Sequence, residues 1–399
     1  MTGLDLDVLV AAASTGGPTC LTSVTELEPA GGPQASVAPA KFAVRGRDEG
    51  AYAYEKRYLD GVSAQAVVID SKQSQLNRAE QALQHAIEDG HPVLSRLPRV
   101  LLRYERNGQV EEYSDLTLPH RVFDGHLRAG TVDGAPVTQL PQYRAIRDAS
   151  PANARALLDA SPVSLVFGSW DSSRAARQGR WRSVLVGEIV GFCADDRTAL
   201  KGGARTDPVG MQVLLSEATL KELAVSQQGE LSHKLFDKIS KTKGGKPVSA
   251  SPLGLGGIPP TLEALAGVAC HRIVRSHVLS FATLRQIRFG AGEAGDVACR
   301  ALLSALALNA LARSDAELVL RANCDLREAA PTELQVDQRG GRSMTLEPLT
   351  IEAADELLAA ALERAGQAAG VVWSGPVLEV AGNPAIVAGA VEDDTESKS

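Results

Sequence analysis

The chain has 399 residues, of which 44% are hydrophobic, and its formal net charge is −7. This length allows one elaborated domain or two, with a substantial core. The five cysteines are odd in number and far apart, with no C-x-x-C pair, which argues against a disulfide framework or a zinc ribbon. The N-terminus has acids where a signal peptide needs bases, and no apolar run is as long as a membrane span. We therefore expect a soluble cytoplasmic protein.

The negative charge is concentrated at the C-terminal end. Residues 347–399 hold ten acids and two bases, a net charge of −8, which leaves residues 1–346 at +1. A nearly neutral body with local basic clusters is compatible with binding a polyanion.

The first part of the chain predicts little regular structure. Residues 4–13 form a short apolar segment, and residues 16–39, rich in Gly, Pro, Ser and Thr, predict a loop. In residues 41–57, Arg45 and Arg57 stand among aromatic residues. This alternation suits an RNA surface, and a half-exposed strand pair with its tyrosines toward the core fits it equally well.

A buried strand followed by a helix is predicted over residues 66–89. The strand ends at Asp70, Ser71 is the predicted N-cap, and apolar residues then recur at helical spacing. The first helical turns are rich in hydrogen-bond donors, including Lys72, Gln73, Gln75, Asn77 and Arg78. Donors at a helix N-terminus favour phosphate binding.

Two further segments precede the most basic part of the chain. Residues 99–113 predict a hairpin with its turn at residues 107–108. Residues 119–128 read P-H-R-V-F-D-G-H-L-R, in which His120 and Arg121 are candidates for RNA contact. A short helix is predicted from Ser150 to residue 160.

Residues 161–193 carry the strongest signal for a polyanion. Two apolar runs, 163–167 and 184–192, predict strands. Between them lies an arginine-rich loop with two tryptophans beside it, made of Trp170, Arg174, Arg177, Arg180, Trp181 and Arg182. Guanidiniums bind phosphates and aromatic rings stack on unpaired bases. An ordinary solvated loop is the alternative interpretation.

The remainder of the chain alternates helices with basic segments. Lys201 and Arg205 flank a Gly-Gly pair, residues 220–239 predict a helix, and residues 240–261 predict a long loop or flexible hairpin. One strand or two are predicted over residues 270–289, which contain Arg272 and Arg275. The last predicted elements are a helix at 296–312, a strand at 317–324, a helix at 350–366 and a disordered acidic tail from 391.

Several of these segments resemble one family. D-S-x-x-S-Q-x-N-R-x-E from Asp70, the P-H-R segment, V-F-G-S-W-D-S followed by V-G-E-I-V-G, C-H-R…L-R-Q-I-R-F and L-R-A-N-C-D-L-R are similar to the Cas-seven family. That family provides the RAMP-superfamily backbone subunit of CRISPR Cascade complexes, and the likeness is to its type I-G (formerly I-U) form.

The resemblance implies an α+β fold. We expect an RRM-like (ferredoxin-like) palm over residues 1–346, with large insertions forming finger and thumb elements and a thumb-like segment at about 240–261. A C-terminal helix and strand at 347–390 are expected on the same domain, followed by the tail at 391–399.

The resemblance also implies a function without a cofactor or metal. Copies would assemble head to tail along one CRISPR RNA (crRNA), beside a large subunit and a subunit capping the 5′ end of the guide. Target DNA would pair with the guide, and a separate nuclease-helicase would cut it. The residues predicted to bind RNA are Arg45, Arg57, Ser71, Lys72, Gln75, Asn77, Arg78, His120, Arg121, Trp170, Arg174, Arg177, Arg180, Arg182, Lys201, Arg205, Arg272 and Arg275.

Two alternatives belong to other functional classes. The sequence has no H-E-x-x-H, G-x-S-x-G or P-loop motif, so we expect no enzyme. An endoribonuclease of the same superfamily, with His120, His126 or His271 as acid or base, is the first alternative. A purely structural protein-protein module is the second.

Overall fold

The structure is a computed structural model that describes residues 3–43, 51–106, 108–171, 173–174, 179–193, 199–243, 246–320 and 324–390. Within these ranges the side chains of residues 199–203 and 259–266 are not described. Arg45, Arg177 and the acidic tail at 391–399 lie outside the described residues, as does part of the arginine-rich loop.

The described strands are β1 (Cys20–Pro29), β2 (Tyr54–Leu59), β3 (Val62–Asp70), β4 (Arg99–Arg106), β5 (Gln109–Ser114), β6 (Thr131–Val132), β7 (Ala135–Pro136), β8 (Ser169–Trp170), β9 (Arg180–Trp181), β10 (Leu185–Cys193), β11 (Ala199–Arg205), β12 (Leu214–Leu215), β13 (Val248–Ser249), β14 (Ile258–Gly267), β15 (Cys270–Ser280), β16 (Leu326–Glu328), β17 (Glu333–Gln338), β18 (Arg342–Leu346) and β19 (Pro376–Ala381).

The described α-helices are α1 (Leu6–Ala13), α2 (Lys72–Glu88), α3 (Gly125–Arg128), α4 (Pro141–Arg147), α5 (Arg155–Ala160), α6 (Pro162–Val166), α7 (Glu217–Ser226), α8 (His233–Ser240), α9 (Phe281–Leu284), α10 (Gly292–Ala316), α11 (Ile351–Ala369) and α12 (Pro384–Ala388).

An eight-stranded antiparallel sheet, here called the palm sheet, forms the centre of the α+β fold. Its order is β18-β17-β1-β15-β10-β3-β2, and β16 also pairs with β1. Its four middle strands lie side by side in the order β17-β1-β15-β10. Along the chain, these strands and two of the helices follow one another in the order β1, α2, β10, β15, α10, β17. The inward residues Leu21, Leu185 and Leu279 share one hydrophobic core with α2 and α10. Both connecting helices therefore cover the same face of this sheet.

The C-terminal elements complete the fold around α10. Helix α11 packs along α10, and β19 pairs in parallel with β4 inside a second sheet of order β5-β4-β19-β6-β7. Helix α10 is long and apolar enough to pass a length-and-composition test for a membrane span. Since 89% of its most apolar 18-residue window is buried in the protein, it is the central helix of the core.

A large insertion, residues 199–267, separates β10 from β15. The insertion begins and ends with the antiparallel pair β11-β14. Between these two strands, the pair β12-β13 and helices α7 and α8 pack around a small apolar cluster that includes Leu220 and Ile239. The predicted helix at 220–239 is thus two helices. The segment 240–261, predicted as a long loop or a flexible hairpin, contains β13, which pairs with β12, and the start of β14, which pairs with β11.

The structure confirms the predictions for elements whose beginning or end is marked in the sequence by a cap or a turn. Residues 66–69 lie in β3, Ser71 caps α2, and β4 and β5 form the predicted hairpin. The helices predicted at 296–312 and 350–366 are α10 and α11. Residues 270–280 form one strand, β15, which is followed by the short helix α9.

Four predictions of secondary structure are wrong. The apolar run 163–167 belongs to helix α6, because Pro162 starts a helical turn that is buried on every side. The predicted loop at 16–39 contains β1, whose inward positions include Ser23 and Thr25. The helix predicted from Ser150 begins only at Arg155, after a turn, and residues 317–320 are not a strand.

Candidate nucleic-acid interface

A groove of about 860 Å³ lies along the whole length of α2, from Lys72 through Glu80 to Glu88, and we call it the α2 groove. Lys72, Gln73 and Asn77 line it from the helix, residues 116–119 from the loop after β5, and Phe167 and Ser183 from the arginine-rich region. Three segments that are far apart in the sequence therefore meet at one surface.

The N-cap fixes the α2 side of this groove. Ser71 Oγ accepts a hydrogen bond from Ser74 N at 3.3 Å, which holds the first turn in place. Lys72 and Asn77 follow on exposed positions. Their ammonium and amide groups therefore face solvent beside the positive end of the helix, where an anion is stabilised.

Strands β8 and β9 form a short hairpin next to the groove. Trp170 pairs with Arg180 across it, and Cζ of Arg180 lies 5.2 Å from the centroid of the Trp170 ring. Trp170 is 45% exposed, and Arg180 and Arg182 are exposed beside it. We call these three side chains the Trp170 platform. Trp181 points inward and is 8% exposed.

Hydrogen bonds attach the hairpin to the wall of the groove. Ser183 Oγ donates to the Phe167 carbonyl at 2.5 Å, and Nη1 of Arg121 donates to the Gly168 carbonyl at 2.6 Å. Phe167 and Ser183 themselves line the groove. The platform and the groove are consequently neighbours, and together they offer cations for phosphates and one open ring for a base.

Arg121 has a structural role that the sequence did not reveal. Its guanidinium donates hydrogen bonds to both carboxylate oxygens of Glu80, from Nε to Oε1 and from Nη2 to Oε2, the latter at 2.6 Å. The Glu80 side chain is only 5% exposed. Burial raises the pKa of Glu80, and Arg121 opposes that shift. Arg121 thus stabilises a buried charge and ties the P-H-R segment to α2, which argues against its prediction as a free RNA-binding residue.

Two donors of α2 also face inward. Gln75 is 4% exposed; its Nε2 donates to Asp70 at 2.5 Å, and its Oε1 lies 3.0 Å from Nε2 of His277. Arg78 donates to both oxygens of Asp70, at 2.9 and 3.2 Å. The buried side chain of Gln75 argues against its prediction as an RNA-binding residue, and Arg78 is held by Asp70.

The arginines of β15 lie away from the α2 groove. Arg275 is 1% exposed and pairs with Glu328 at 2.6 Å and with Asp315 at 3.5 Å. Its position on the helix-covered face of the palm sheet argues against its prediction as an RNA-binding residue. Arg272 lies 3.3 Å from Glu26.

Two other predicted arginines are held by carboxylates. Arg57 bonds Glu188 at 2.7 Å and also contacts Glu55, and these hydrogen bonds raise its pKa. Arg174 donates to Asp148 at 2.7 Å. The expectation that the arginine-rich loop has no internal partners is therefore wrong for Arg174. Hydrogen bonds from Arg147 and Arg174 lower the pKa of Asp148 to about 2.

The remaining predicted residues are divided between two places. His120 is exposed beside the P-H-R turn, whereas the ring of His126 is held by the Tyr104 hydroxyl at 2.7 Å. Arg205 is exposed at the end of β11 in the insertion, apart from the groove. Lys201 lies in the same strand, opposite Ala264, and its side chain is outside the described set.

Sequence reasoning missed the residues that form the floor of the groove. Phe167 and Ser183 are brought there by the pairing of β8 with β9, for which residues 169–170 and 180–181 give no local signal. Among the described side chains, no cluster of three His, Cys, Asp or Glu has the geometry of a metal site.

Residues 21–196 match a family described as CRISPR-associated protein GSU0053. The matched range covers a little under half of the chain and includes β1, β3, α2 and β10 of the palm sheet, together with every segment that lines the α2 groove. Comparison with curated proteins found no match.

Proposed function

We propose that this chain is the crRNA-binding backbone subunit, of the RAMP (Cas-seven) type, of a type I Cascade ribonucleoprotein, a proposal supported by the match of residues 21–196 to a family of CRISPR-associated proteins. The observation that carries this proposal is the convergence of three distant segments on the α2 groove and the Trp170 platform. The exposed cations there, Lys72, Arg180 and Arg182, suit a phosphate backbone.

The type of contact fits a subunit that must accept any guide sequence. Lysine and arginine bind phosphates, and an aromatic ring stacks on any base, so neither reads the Watson–Crick edge. The bases of the guide stay free to pair with target DNA, as RNA-guided recognition requires.

The topology supports the finer parts of the proposal. The path β1, α2, β10, β15, α10, β17 has the β-α-β-β-α-β order of ferredoxin-like folds, which is the basis for an RRM-like palm. In the type I-G arrangement that we propose, the insertion at 199–267 takes the place of a thumb. Copies then assemble head to tail in the cytoplasm with the other Cascade subunits.

The proposal assigns no catalytic step to this chain. His126 is engaged with Tyr104, and among the described residues His120 has no neighbouring base or acid hydrogen-bonded to its ring. Incubating the purified protein with precursor crRNA in the absence of metal should leave the RNA intact. Cleavage at one defined position would favour the endoribonuclease instead.

The platform can be tested by the salt dependence of RNA binding. Replacing Arg180 and Arg182 together by Ala removes two exposed cations, so the slope of log K against log salt should fall by about 0.7 for each phosphate that the variant no longer neutralises. The measurement is fluorescence anisotropy with single-stranded RNA at about 50 to 200 mM salt. Circular dichroism checks that the variant is folded.

Arg342 provides the matched control. It is exposed on the edge strand β18, at the far side of the palm sheet from β10, so Arg342→Ala removes a surface cation outside the groove. That variant should keep the wild-type slope. Equal slopes for the wild type and the Arg180/Arg182 variant would mean that the hairpin is only a solvated surface, and the proposed site would be wrong.

A further inference from the structure

The Trp170 platform lies close to the place where the chain leaves the described fold. Strand β19 ends at Ala381, whose carbonyl lies against Gly130. Arg128, two residues before Gly130, lies 3.2 Å from Asp171, and Asp171 directly follows Trp170. A short series of contacts thus connects the end of β19 with the platform.

The segment after β19 continues from this point to the surface. Helix α12 packs against β4, and residues 389–390 behind it are exposed. Residues 391–399 follow, and we call them the acidic tail. They read V-E-D-D-T-E-S-K-S, so four carboxylates fall within the five positions 392–396. A dense run of like charges is typical of an interacting segment.

The acidic tail is long enough to reach the platform. Its nine residues span up to about 30 Å when extended, and the helix that precedes them, α12, is only about 7.5 Å long. The path from Ala381 to Trp170 crosses little more than one arginine side chain and its ion pair. The tail can therefore place its acids over Trp170 without a change in the described fold.

The sheet surface beside the start of the tail is unfavourable for acids. Gly382 N donates to the carbonyl of Arg103 at 2.8 Å, so this arginine lies next to the last described segment. Its guanidinium is already held by Glu112 at 2.8 Å and by Glu379 at 2.5 Å. Glu105 is exposed on the same strand. This surface repels a segment of carboxylates.

The Trp170 platform has the opposite charge. Arg180 and Arg182 are exposed, and neither forms an ion pair with any residue that the structure describes. The carboxylate next to them, Asp171, is 3% exposed and is balanced by Arg128. Charge complementarity therefore favours the platform over the sheet surface as the place where the tail lies.

We propose that the acidic tail lies on the Trp170 platform in the absence of RNA and competes with RNA for it. This inference rests on the proposed function and adds a regulation of the same site. Carboxylates of the tail take the place of phosphates beside Arg180 and Arg182. Because the tail is tethered, its effective concentration at the platform is of the order of millimolar. It therefore lowers the affinity for every RNA that uses the platform.

Two variants remove the charge of the tail in different ways. One ends the chain at residue 390. The other replaces the four acids by their amides, as Glu392→Gln, Asp393→Asn, Asp394→Asn and Glu396→Gln. The matched control makes the same change in charge at four exposed acids on or beside β17, β18 and α11, as Glu333→Gln, Glu347→Gln, Glu352→Gln and Glu356→Gln.

The first readout is the affinity for single-stranded RNA at about 50 mM salt, measured by fluorescence anisotropy. Both tail variants should bind about 3- to 10-fold more tightly than the wild type, because two arginines are released and each exposed ion pair is worth less than a factor of about 5. The gain should shrink at about 200 mM salt, which screens these pairs. The control should keep the wild-type affinity. With Arg180 and Arg182 both replaced by Ala, neutralising the tail should leave the affinity unchanged.

The second readout needs no RNA. Trp170 is 45% exposed, whereas the other two tryptophans are buried, so quenching of intrinsic fluorescence by iodide reports mainly on the platform. Iodide is an anion that accumulates at open cations. At constant ionic strength both tail variants should therefore be quenched more strongly than the wild type. The increase should disappear in the Trp170→Phe background.

Either readout unchanged by the tail variants, in a protein that binds RNA, overturns the inference. An equal gain in affinity for the control variant, or an undiminished gain without Arg180 and Arg182, overturns it as well. The iodide experiment separates the two proposals. If the wild type and the tail variants bind no RNA while iodide quenching still rises when the tail is neutralised, the proposed function is wrong and the contact between tail and platform stands.

Discussion

Arginine side chains in this protein divide into two physical classes. Arg121 and Glu80 form an ion pair inside the fold, with Nη2 of Arg121 at 2.6 Å from Oε2 of Glu80. Arg275 is buried as well, but its partner Glu328, at 2.6 Å, has a side chain that is 47% exposed. Removing one partner of a buried pair such as Arg121–Glu80 leaves an uncompensated charge, which costs about 3–5 kcal/mol. Arg180 and Arg182 stand in solvent, where a charge adds little to stability and is available to a ligand.

Trp170 allows the platform to be observed directly. It is 45% exposed, whereas the other two tryptophans, Trp181 and Trp373, are 8% and 1% exposed. Stacking on a base is worth about 1–3 kcal/mol, so Trp170→Ala should weaken the binding of single-stranded RNA by roughly 5- to 150-fold. Titration by fluorescence anisotropy measures this change in affinity.

Trp170→Phe is the conservative control for stacking. It keeps an aromatic ring and should retain most of the RNA affinity, because a phenyl ring also stacks on bases. Intrinsic fluorescence should fall when RNA is added to the wild type and stay constant for Trp170→Phe. An RNA-induced change of equal size in both proteins would place the bound base elsewhere.

At the scale of elements, a strand or helix could be predicted where the residues within it and next to it carry its signals. Strand β3 and helix α2 were predictable because an apolar run, the cap at Ser71 and a helical period follow one another within about twenty residues. Helix α6 was not, since five consecutive buried residues show no period that separates a helix from a strand.

The candidate site was predictable only in part, for a related reason. The basic segments were visible, but their partners are distant in the chain: Glu80 lies 41 residues from Arg121, and Glu328 lies 53 residues from Arg275. A cluster of arginines therefore indicates either a ligand surface or a set of ion pairs. Which of the two it is depends on the pairing of strands and helices that are far apart in sequence.

The packing of α2 on the palm sheet depends on Gly187 of β10. This residue lies opposite His277 in the register, and a Cβ at this position would overlap the His277 ring. Because that ring is held by Gln75 of α2, it has little room to move. Gly187→Ala should lower the free energy of unfolding by about 1–3 kcal/mol, measured by urea denaturation.

Two comparisons make this prediction specific. Gly229 has no heavy atom within 4 Å of a built Cβ, so Gly229→Ala should change stability by no more than about 0.5 kcal/mol. His277→Ala removes the obstructing ring, so Gly187→Ala should cost much less in that background. Additive costs in the double variant would show that the ring is not the obstacle.

At the scale of the whole molecule, buried polar groups join the layers of the fold. Asp115 is fully buried, accepts a hydrogen bond from Val100 N at 3.2 Å and is also bonded by Ser161. It thereby connects the second sheet to the start of α6. His277 connects the palm sheet to α2 through Gln75. Burial raises the pKa of Asp115 and lowers the pKa of His277. The directions differ because the carboxyl group becomes charged by losing a proton, whereas the imidazole becomes charged by gaining one.

The raised pKa of Asp115 and the lowered pKa of His277 predict opposite effects on how stability depends on pH. Burial raises the pKa of Asp115 to about 7, so the folded protein keeps a proton that the unfolded chain loses above its ordinary pKa of 3.8. This contribution to stability is fully present below pH 3.8 and is lost as the pH rises to about 7. Burial lowers the pKa of His277 from 6.5 to about 3. Its contribution is therefore present above pH 6.5 and is lost as the pH falls to about 3.

Between about pH 4 and 6.5 each group changes the unfolding free energy by about 1.4 kcal/mol per pH unit, with opposite sign. Asp115→Asn should therefore make stability rise more steeply with pH in this window, because the falling contribution is gone. His277→Gln should make it rise less steeply or fall. Urea denaturation at three pH values measures both slopes. Variant profiles parallel to that of the wild type would mean that these two groups keep their ordinary protonation behaviour in the folded protein.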